Sequence, residues 1–309
     1  MKNFIHLTDL SINEIQDTLA DTLDLKKNRS KENKLLSNQS YGLLFYKSST
    51  RTRVSFEVGI QELGGHAIIL NSQSTQIERG ESVKDTAKVL SRYLHGLVIR
   101  AYDHCILEEF SKYSTIPIIN GLTDFNHPCQ ILTDIFTLLE KYDPNKVCLS
   151  ALKDKKIVFV GDTASNMANS WILASAYLGF ELVLAGPEKY QPSALILNKL
   201  KMLELNPKHR FTTDAKDAAK DADVIYTDVW VSMGDESEAV NRTKTLKPYQ
   251  VNDDMVSIAK PDVLFLHCLP AHPGEEVTLS VLEGPRSIVY DQAENRLHTQ
   301  KALIANLVK

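Results

Sequence analysis

The chain has 309 residues, close to two domains of about 150 residues each, and 43% hydrophobic with 24% charged residues is ordinary globular composition. Its 35 Lys and Arg against 39 Asp and Glu leave a formal charge of −4, so there is no broad cationic field for a nucleic acid or an anionic membrane. No apolar run approaches the ~18 residues of a spanning helix, and the first residues lack the pattern of a secretory signal or transit peptide, which makes the expected location the cytoplasm.

Short apolar runs alternating with helical patterns then recur along the chain, as in a parallel α/β sheet. In the first half the predicted strands are 41–46, 66–70, 96–99 and 115–119. Residues 51–63 carry a helical stripe through Val54, Phe56, Val58, Ile60 and Leu63, closed by Gly64 and Gly65. Residues 128–142 read as one amphipathic helix opening on Pro128, and Asp143-Pro144-Asn145 marks a turn and the expected domain boundary. The second half predicts strands at 157–160, 181–184, 224–227, 263–266 and 287–290, with helices at 169–178 and 194–203 and a closing helix at 293–307.

In parallel sheets ligands bind beyond the carboxyl ends of the strands, so the residues just after each run are the candidates. The first run leads into Ser49-Thr50-Arg51-Thr52-Arg53, where hydroxyls, guanidinium forks and free N–H groups meet at a helix start. All of these donate and the dipole favours an anion, which points to a phosphate; the alternative is a simple Ser/Thr cap beside solvated arginines. Arg100 follows the third run, and His127-Pro128-Cys129-Gln130 puts a histidine and a glutamine on one helix face, suited to a carbonyl-and-amide group or to a plain cap. In the second half Gly161-Asp162, Asn166, Asp228 and His267-Cys268-Leu269-Pro270 follow strands. There is no GxGxxG and no Walker loop. Four scattered cysteines (Cys105, Cys129, Cys148 and Cys268) have neither disulfide-framework nor zinc-finger spacing, so no metal and no cofactor is expected.

Taken together these motifs resemble the carbamoyltransferases. Ser49–Arg53 looks like their carbamoyl-phosphate loop and His127–Gln130 like their second shared motif, while Asp228-Val229-Trp230-Val231-Ser232-Met233-Gly234 and His267–Pro270 match the ornithine branch. The resemblance runs essentially end to end, with one departure at Pro273, where a basic residue is expected in His-Arg-Gly-Glu-Glu.

The resemblance implies two doubly wound parallel-sheet α/β domains joined by long helices, with the active site in the cleft between them. Residues 1–142, completed by the helix at 293–309, would bind carbamoyl phosphate, and 143–292 would bind ornithine. Ser49, Thr50, Arg51 and Thr52 would hold the phosphate. Arg100 and His127, with Thr52, would polarise the carbamoyl oxygen, and Gln130 would bind the carbamoyl NH₂. Arg296 would return to the first domain's ligand. Asn166, Asp228, Ser232 and Met233 would hold ornithine, with Cys268 and Leu269 beside the reacting amine. Gln76 would reach into a neighbouring subunit's site, implying a homotrimer with shared sites and a possible higher assembly. The implied reaction transfers the carbamoyl group to ornithine, in arginine synthesis or in the reverse sense in its breakdown. Aspartate is disfavoured as acceptor by Ser232-Met233-Gly234 and His267–Pro270; putrescine stays open.

Overall fold

The computed structural model describes residues 2–72, 75–231 and 236–308, which divide into two units, one of Met1–Val147 with Glu294–Lys309 and one of Cys148–Ala293. In the first unit the order is α1 (Ile12–Lys27), β1 (Ser40–Phe45), α2 (Thr50–Glu62), β2 (His66–Asn71), α3 (Val83–Leu90), β3 (Gly96–Arg100), α4 (His104–Tyr113), β4 (Ile118–Leu122) and α5 (Pro128–Tyr142). The sheet is parallel throughout, in the order β2-β1-β3-β4. After β1 the chain goes to one side for β2 and then crosses to the other for β3. The β1/β3 gap is therefore the switch point where a doubly wound sheet opens a ligand crevice. Leu44, Leu97, Ile99, Leu107 and Phe110 form its core, and burial on both faces explains the continuous apolar runs of β1 and β3.

The second unit runs β5 (Lys156–Val160), α6 (Asn166–Leu178), β6 (Glu181–Ala185), α7 (Ala194–Met202), β7 (His209–Thr212), α8 (Ala215–Ala219), β8 (Val224–Thr227), α9 (Ala239–Leu246), α10 (Asp253–Ser257), β9 (Leu264–His267) and α11 (Leu279–Leu282). Its parallel order, β7-β6-β5-β8-β9, puts the switch point between β5 and β8. Val158, Val183, Ile225 and Phe265 fill its core on one face; on the other Trp171 packs edge-on against Tyr226 at 5.3 Å. α12 (Val289–Leu307) closes the chain; from Glu294 onward it belongs to the first unit. Among the described residues no helix is long and apolar enough to cross a membrane.

The architecture is the expected one, with local corrections. The predicted strand 115–119 starts later, at Ile118, because Pro117 has no N–H to give the ladder. The predicted strand 287–290 is a single bridge between Ser287 and Phe265; from Val289 the chain is already helical. The β-branched run Ile288-Val289 is buried by packing a helix instead, so local propensity loses to tertiary context. β7 was not predicted, since its four residues include His209 and Arg210 and make no apolar run.

Candidate active site

Ser49 stands in extended backbone and its hydroxyl accepts the Thr52 N–H at 3.2 Å, which starts α2 straight after β1. The helix turns the loop's side chains apart. Thr52 is buried, Thr50 and Arg51 stay exposed beside the positive helix end, and Arg53 reaches Glu57 on the surface at 3.8 Å.

Across the switch point, Arg100 ends β3 at a bulge. Ile99 pairs with Asn120 but Arg100 pairs with Leu122, leaving Gly121 as the extra residue, a device that re-aims a strand end. A Cβ at Gly121 would lie 3.2 Å from the Ile99 carbonyl oxygen, a tight approach to backbone that glycine avoids. Arg100 Nη1 donates to Thr52 Oγ1 at 3.4 Å, and Arg296 Nη2 donates to the same oxygen at 3.2 Å. Arg296 Nη1 donates to Gln130 Oε1 at 2.6 Å, and Gln130 Nε2 donates to Asp134 Oδ1 at 2.8 Å. Gln300, with its amide turned to suit its neighbours, accepts from Arg296 Nη2 at 3.0 Å. Thr52, Arg100, Gln130 and Arg296 are all buried, so their guanidinium and amide groups are locked before any ligand arrives.

His127 caps α5 just outside Pro128 and is buried in the same cluster. Burial, then the charges of Arg296, Arg100 and Lys47, hold its imidazole pKa well below the usual value, so at neutral pH it is an uncharged ring with one N–H to give. Lys47 is itself buried, pairs with Asp124 at 2.5 Å and lies 4.3 Å from the centre of the Tyr102 ring. Cys129 is a packing residue. Its thiol is pushed up to about 12 by burial and donates to the Asn120 carbonyl at 3.3 Å. Gln76 sits exposed on the short 3-10 turn Gln76–Arg79 and takes no part in these hydrogen bonds.

The second unit assembles a different group at its own switch point. Ser165 caps α6 by accepting the Ala168 N–H at 3.2 Å, and Asn166, half-buried, is the first helical residue. β8 and β9 are neighbours with Thr227 opposite His267, so the next residues along, Asp228 and Cys268, meet. The Cys268 thiol donates to Asp228 Oδ1 at 3.0 Å. Behind them His267 is fully buried. Its Nδ1 accepts the Leu269 N–H at 2.9 Å, so the proton sits on Nε2, facing Glu276 Oε1 at 3.2 Å. Leu269 itself is in a left-handed conformation (φ +57°), strained for a residue with a side chain. Ligand-type atoms of Asp228, His267 and Cys268 lie within 4.8 Å of one another, but both nitrogens of His267 already face protein groups, which leaves a thiol–carboxylate pair. Arg242 is ion-paired with Asp162 and donates from Nε to the Trp230 carbonyl at 2.7 Å, tying α9 to the end of β5. Ser232 and Met233 lie outside the described residues.

Two family models match the chain in tandem. The aspartate/ornithine carbamoyltransferase carbamoyl-P binding domain matches residues 2–140, and the Asp/Orn binding domain of the same family matches 153–307. The chain belongs to the aspartate/ornithine carbamoyltransferase family. An ornithine carbamoyltransferase of Methanoculleus marisnigri is 47% identical over 309 residues, 99% of this chain and 97% of the relative. The solved structure of the ornithine carbamoyltransferase from Pyrococcus furiosus matches with a TM-score of 0.90 at 46% identity, covering 98% of this chain and 96% of that one. The anabolic ornithine carbamoyltransferase from Campylobacter jejuni matches with a TM-score of 0.89 at 38% identity, covering 100% and 99%.

On this carbamoyltransferase frame, Thr52, Arg100, His127, Gln130 and Arg296 gather in the first unit, with Ser49, Thr50 and Arg51 at the adjoining helix start. Asp228, Cys268 and Leu269 gather in the second, where Asn166 opens α6. Sequence reasoning placed Lys47 just after the first strand without giving it a role, and passed over Asp134 and Gln300. Asp134 had a readable signal, since a carboxylate four residues after Gln130 shares its helix face.

Proposed function

We propose that this protein transfers the carbamoyl group of carbamoyl phosphate to the δ-amine of L-ornithine, giving L-citrulline and phosphate. The observation that carries the reading is the buried Thr52–Arg100–Arg296–Gln130 cluster beside the start of α2. It offers two fixed guanidinium groups and a helix end to a phosphate, and an amide to a carbamoyl group. The names of the relatives, all ornithine carbamoyltransferases, support the acceptor, and two named anabolic support the synthetic direction.

The chemistry follows from charge. Ser49, Thr50, Arg51 and Thr52 bind the phosphate. As the amine attacks the carbonyl carbon, negative charge grows on the carbonyl oxygen, and Arg100 and the neutral His127 N–H stabilise it. An unperturbed alkyl amine has a pKa near ~10.4, so ornithine must shed a proton to become nucleophilic. The proton that nitrogen loses on attack balances the charge of the departing phosphate, which Arg51 and the helix end stabilise. The reaction balances without nucleotide or metal. Gln130 receives the carbamoyl NH₂. Asn166, Asp228, Ser232 and Met233 bind the amino acid end of ornithine, with Cys268 and Leu269 beside its δ-amine. Gln76, exposed on its turn, fits a contribution to a neighbouring subunit's site in a homotrimer.

The test is citrulline formation from carbamoyl phosphate and L-ornithine, run beside putrescine and L-aspartate at matched concentration. Strong preference for ornithine is expected. Equal rates with putrescine would remove the amino acid half of the reading, and silence with all three would remove the reaction.

A further inference from the structure

A glutamine presents either an oxygen or an NH₂ to a ligand, depending on a half-turn of its amide, and the two ends have opposite hydrogen-bonding character. Gln130 contributes to carbamoyl recognition only if its oxygen faces the ligand. Two neighbours of opposite type remove the ambiguity. Arg296 has only donors and takes Gln130 Oε1 at 2.6 Å; the Asp134 carboxylate accepts and takes Gln130 Nε2 at 2.8 Å. Turning the amide would set oxygen against carboxylate and NH₂ against guanidinium.

Asp134 is fully buried in the middle of α5, where a carboxylate opposes the binding of an anion at the start of the same helix. Its bond to Gln130 is the contact by which it reaches the carbamoyl group's neighbour. We propose that Asp134 is a positioning residue that presets the Gln130 amide for the carbamoyl NH₂, and through it lets the site prefer carbamoyl phosphate over acyl phosphates with no NH₂. This rests on the reaction proposed above. The side chain touches Gln130 and is not assigned a contact with the substrate.

The experiment compares the purified full-length protein with Asp134→Asn, Asp134→Leu and Gln130→Ala. The readouts are kcat/KM for carbamoyl phosphate, and the inhibition constants of acetyl phosphate, which has CH₃ in place of NH₂, and of inorganic phosphate. In Asp134→Leu, which has no acceptor for Gln130 Nε2, kcat/KM for carbamoyl phosphate falls about tenfold or more, the scale of one lost buried hydrogen bond. Inhibition by acetyl phosphate and phosphate stays at the wild-type level. Asp134→Asn keeps an amide oxygen that still accepts from Gln130 Nε2, so it retains most of the wild-type kcat/KM and ties the leucine loss to the bond. Because Asp134 acts through Gln130, adding Asp134→Leu to Gln130→Ala costs little more. An equal weakening of all three ligands, full retention of the wild-type preference in Asp134→Leu, or a loss in Asp134→Asn as deep as in Gln130→Ala overturns the proposal. If the wild type itself transfers no carbamoyl group, the reaction falls and this inference with it; a wild type that transfers normally beside an indifferent Asp134→Leu variant refutes the inference alone.

Discussion

The two half-sites are built on different principles. In the first unit Thr52, Arg100, Gln130 and Arg296 are buried and hydrogen-bonded to one another, each guanidinium held before a ligand arrives. In the second unit Asp228 and Cys268 are half-buried and joined by a single thiol–carboxylate bond. A phosphate is a compact dianion that rewards donors fixed in place, and the first unit supplies them. The second is organised indirectly, through the His267–Glu276 pair and the strained turn at Leu269 beside Asp228 and Cys268. The difference teaches that loss in the first unit should strike chemistry and anion binding together, whereas loss in the second should fall on the acceptor alone.

The harshest way to break that contrast is to remove a fixed charge. Arg100→Ala should lower kcat by ~10²–10³, the scale of losing one preorganised oxyanion donor, with circular dichroism unchanged. Arg51→Ala should also cut turnover by a large factor, through weaker phosphate binding and a poorer leaving group. Near-normal steady-state kinetics in both variants would end the phosphate assignment.

A smaller effect is expected in the second unit. Asp228→Asn removes one charged partner, worth about 1.5–3 kcal/mol, so kcat/KM for ornithine should drop roughly ten- to a hundredfold. Inhibition by inorganic phosphate should be unmoved. A parallel rise in the phosphate inhibition constant would mean that the two half-sites are not separable as described.

The sequence showed much of this and hid the rest for physical reasons. The helix start after Ser49 was readable because caps and strand ends are local signals, whereas the helix expected at 169–178 opens three residues earlier, behind the Ser165 cap. The meeting of Asp228 with Cys268 was not, since it depends on β8 lying beside β9 in one particular register. The bonds of Arg296 to Gln130 and Thr52 join residues far apart in the chain and need the packing of α12 to become visible, whereas the Gln130–Asp134 and Arg296–Gln300 pairs are each four residues apart on one helix. Charged β7 and the helix that begins at Val289 show the same limit from the side of the fold.

Order in the first unit also carries an acid liability. His298 on α12 is fully buried, 3.6 Å from Glu294, and burial lowers its pKa from 6.5 to about 4. Above pH 6.5 the ring is neutral in both folded and unfolded chains and the stability is complete. Between 6.5 and about 4 only the unfolded chain takes the proton, so stability falls as pH falls, and below about 4 this contribution levels off. Melting temperature against pH should therefore decline less steeply over that window in His298→Gln than in the wild type. Identical slopes would show that His298 does not set the decline.

The gentlest comparison uses two helix caps in the same unit. Ser11 starts α1 in a capping box, accepting the Glu14 N–H at 3.3 Å while Glu14 returns to the Ser11 N–H at 2.8 Å. Ser49 starts α2 with only the bond from Thr52. Ser→Ala at either place should cost about 1 kcal/mol of stability, seen as a modest fall in the urea midpoint. On the proposed reading only Ser49→Ala should also raise KM for carbamoyl phosphate, because its hydroxyl and the N–H groups it orders would face the anion. Ser11→Ala should leave the kinetics alone, its cap serving the helix and nothing more. If the two variants match in both stability and KM, Ser49 is an ordinary cap, and the phosphate is held by Thr52 and the arginines without it.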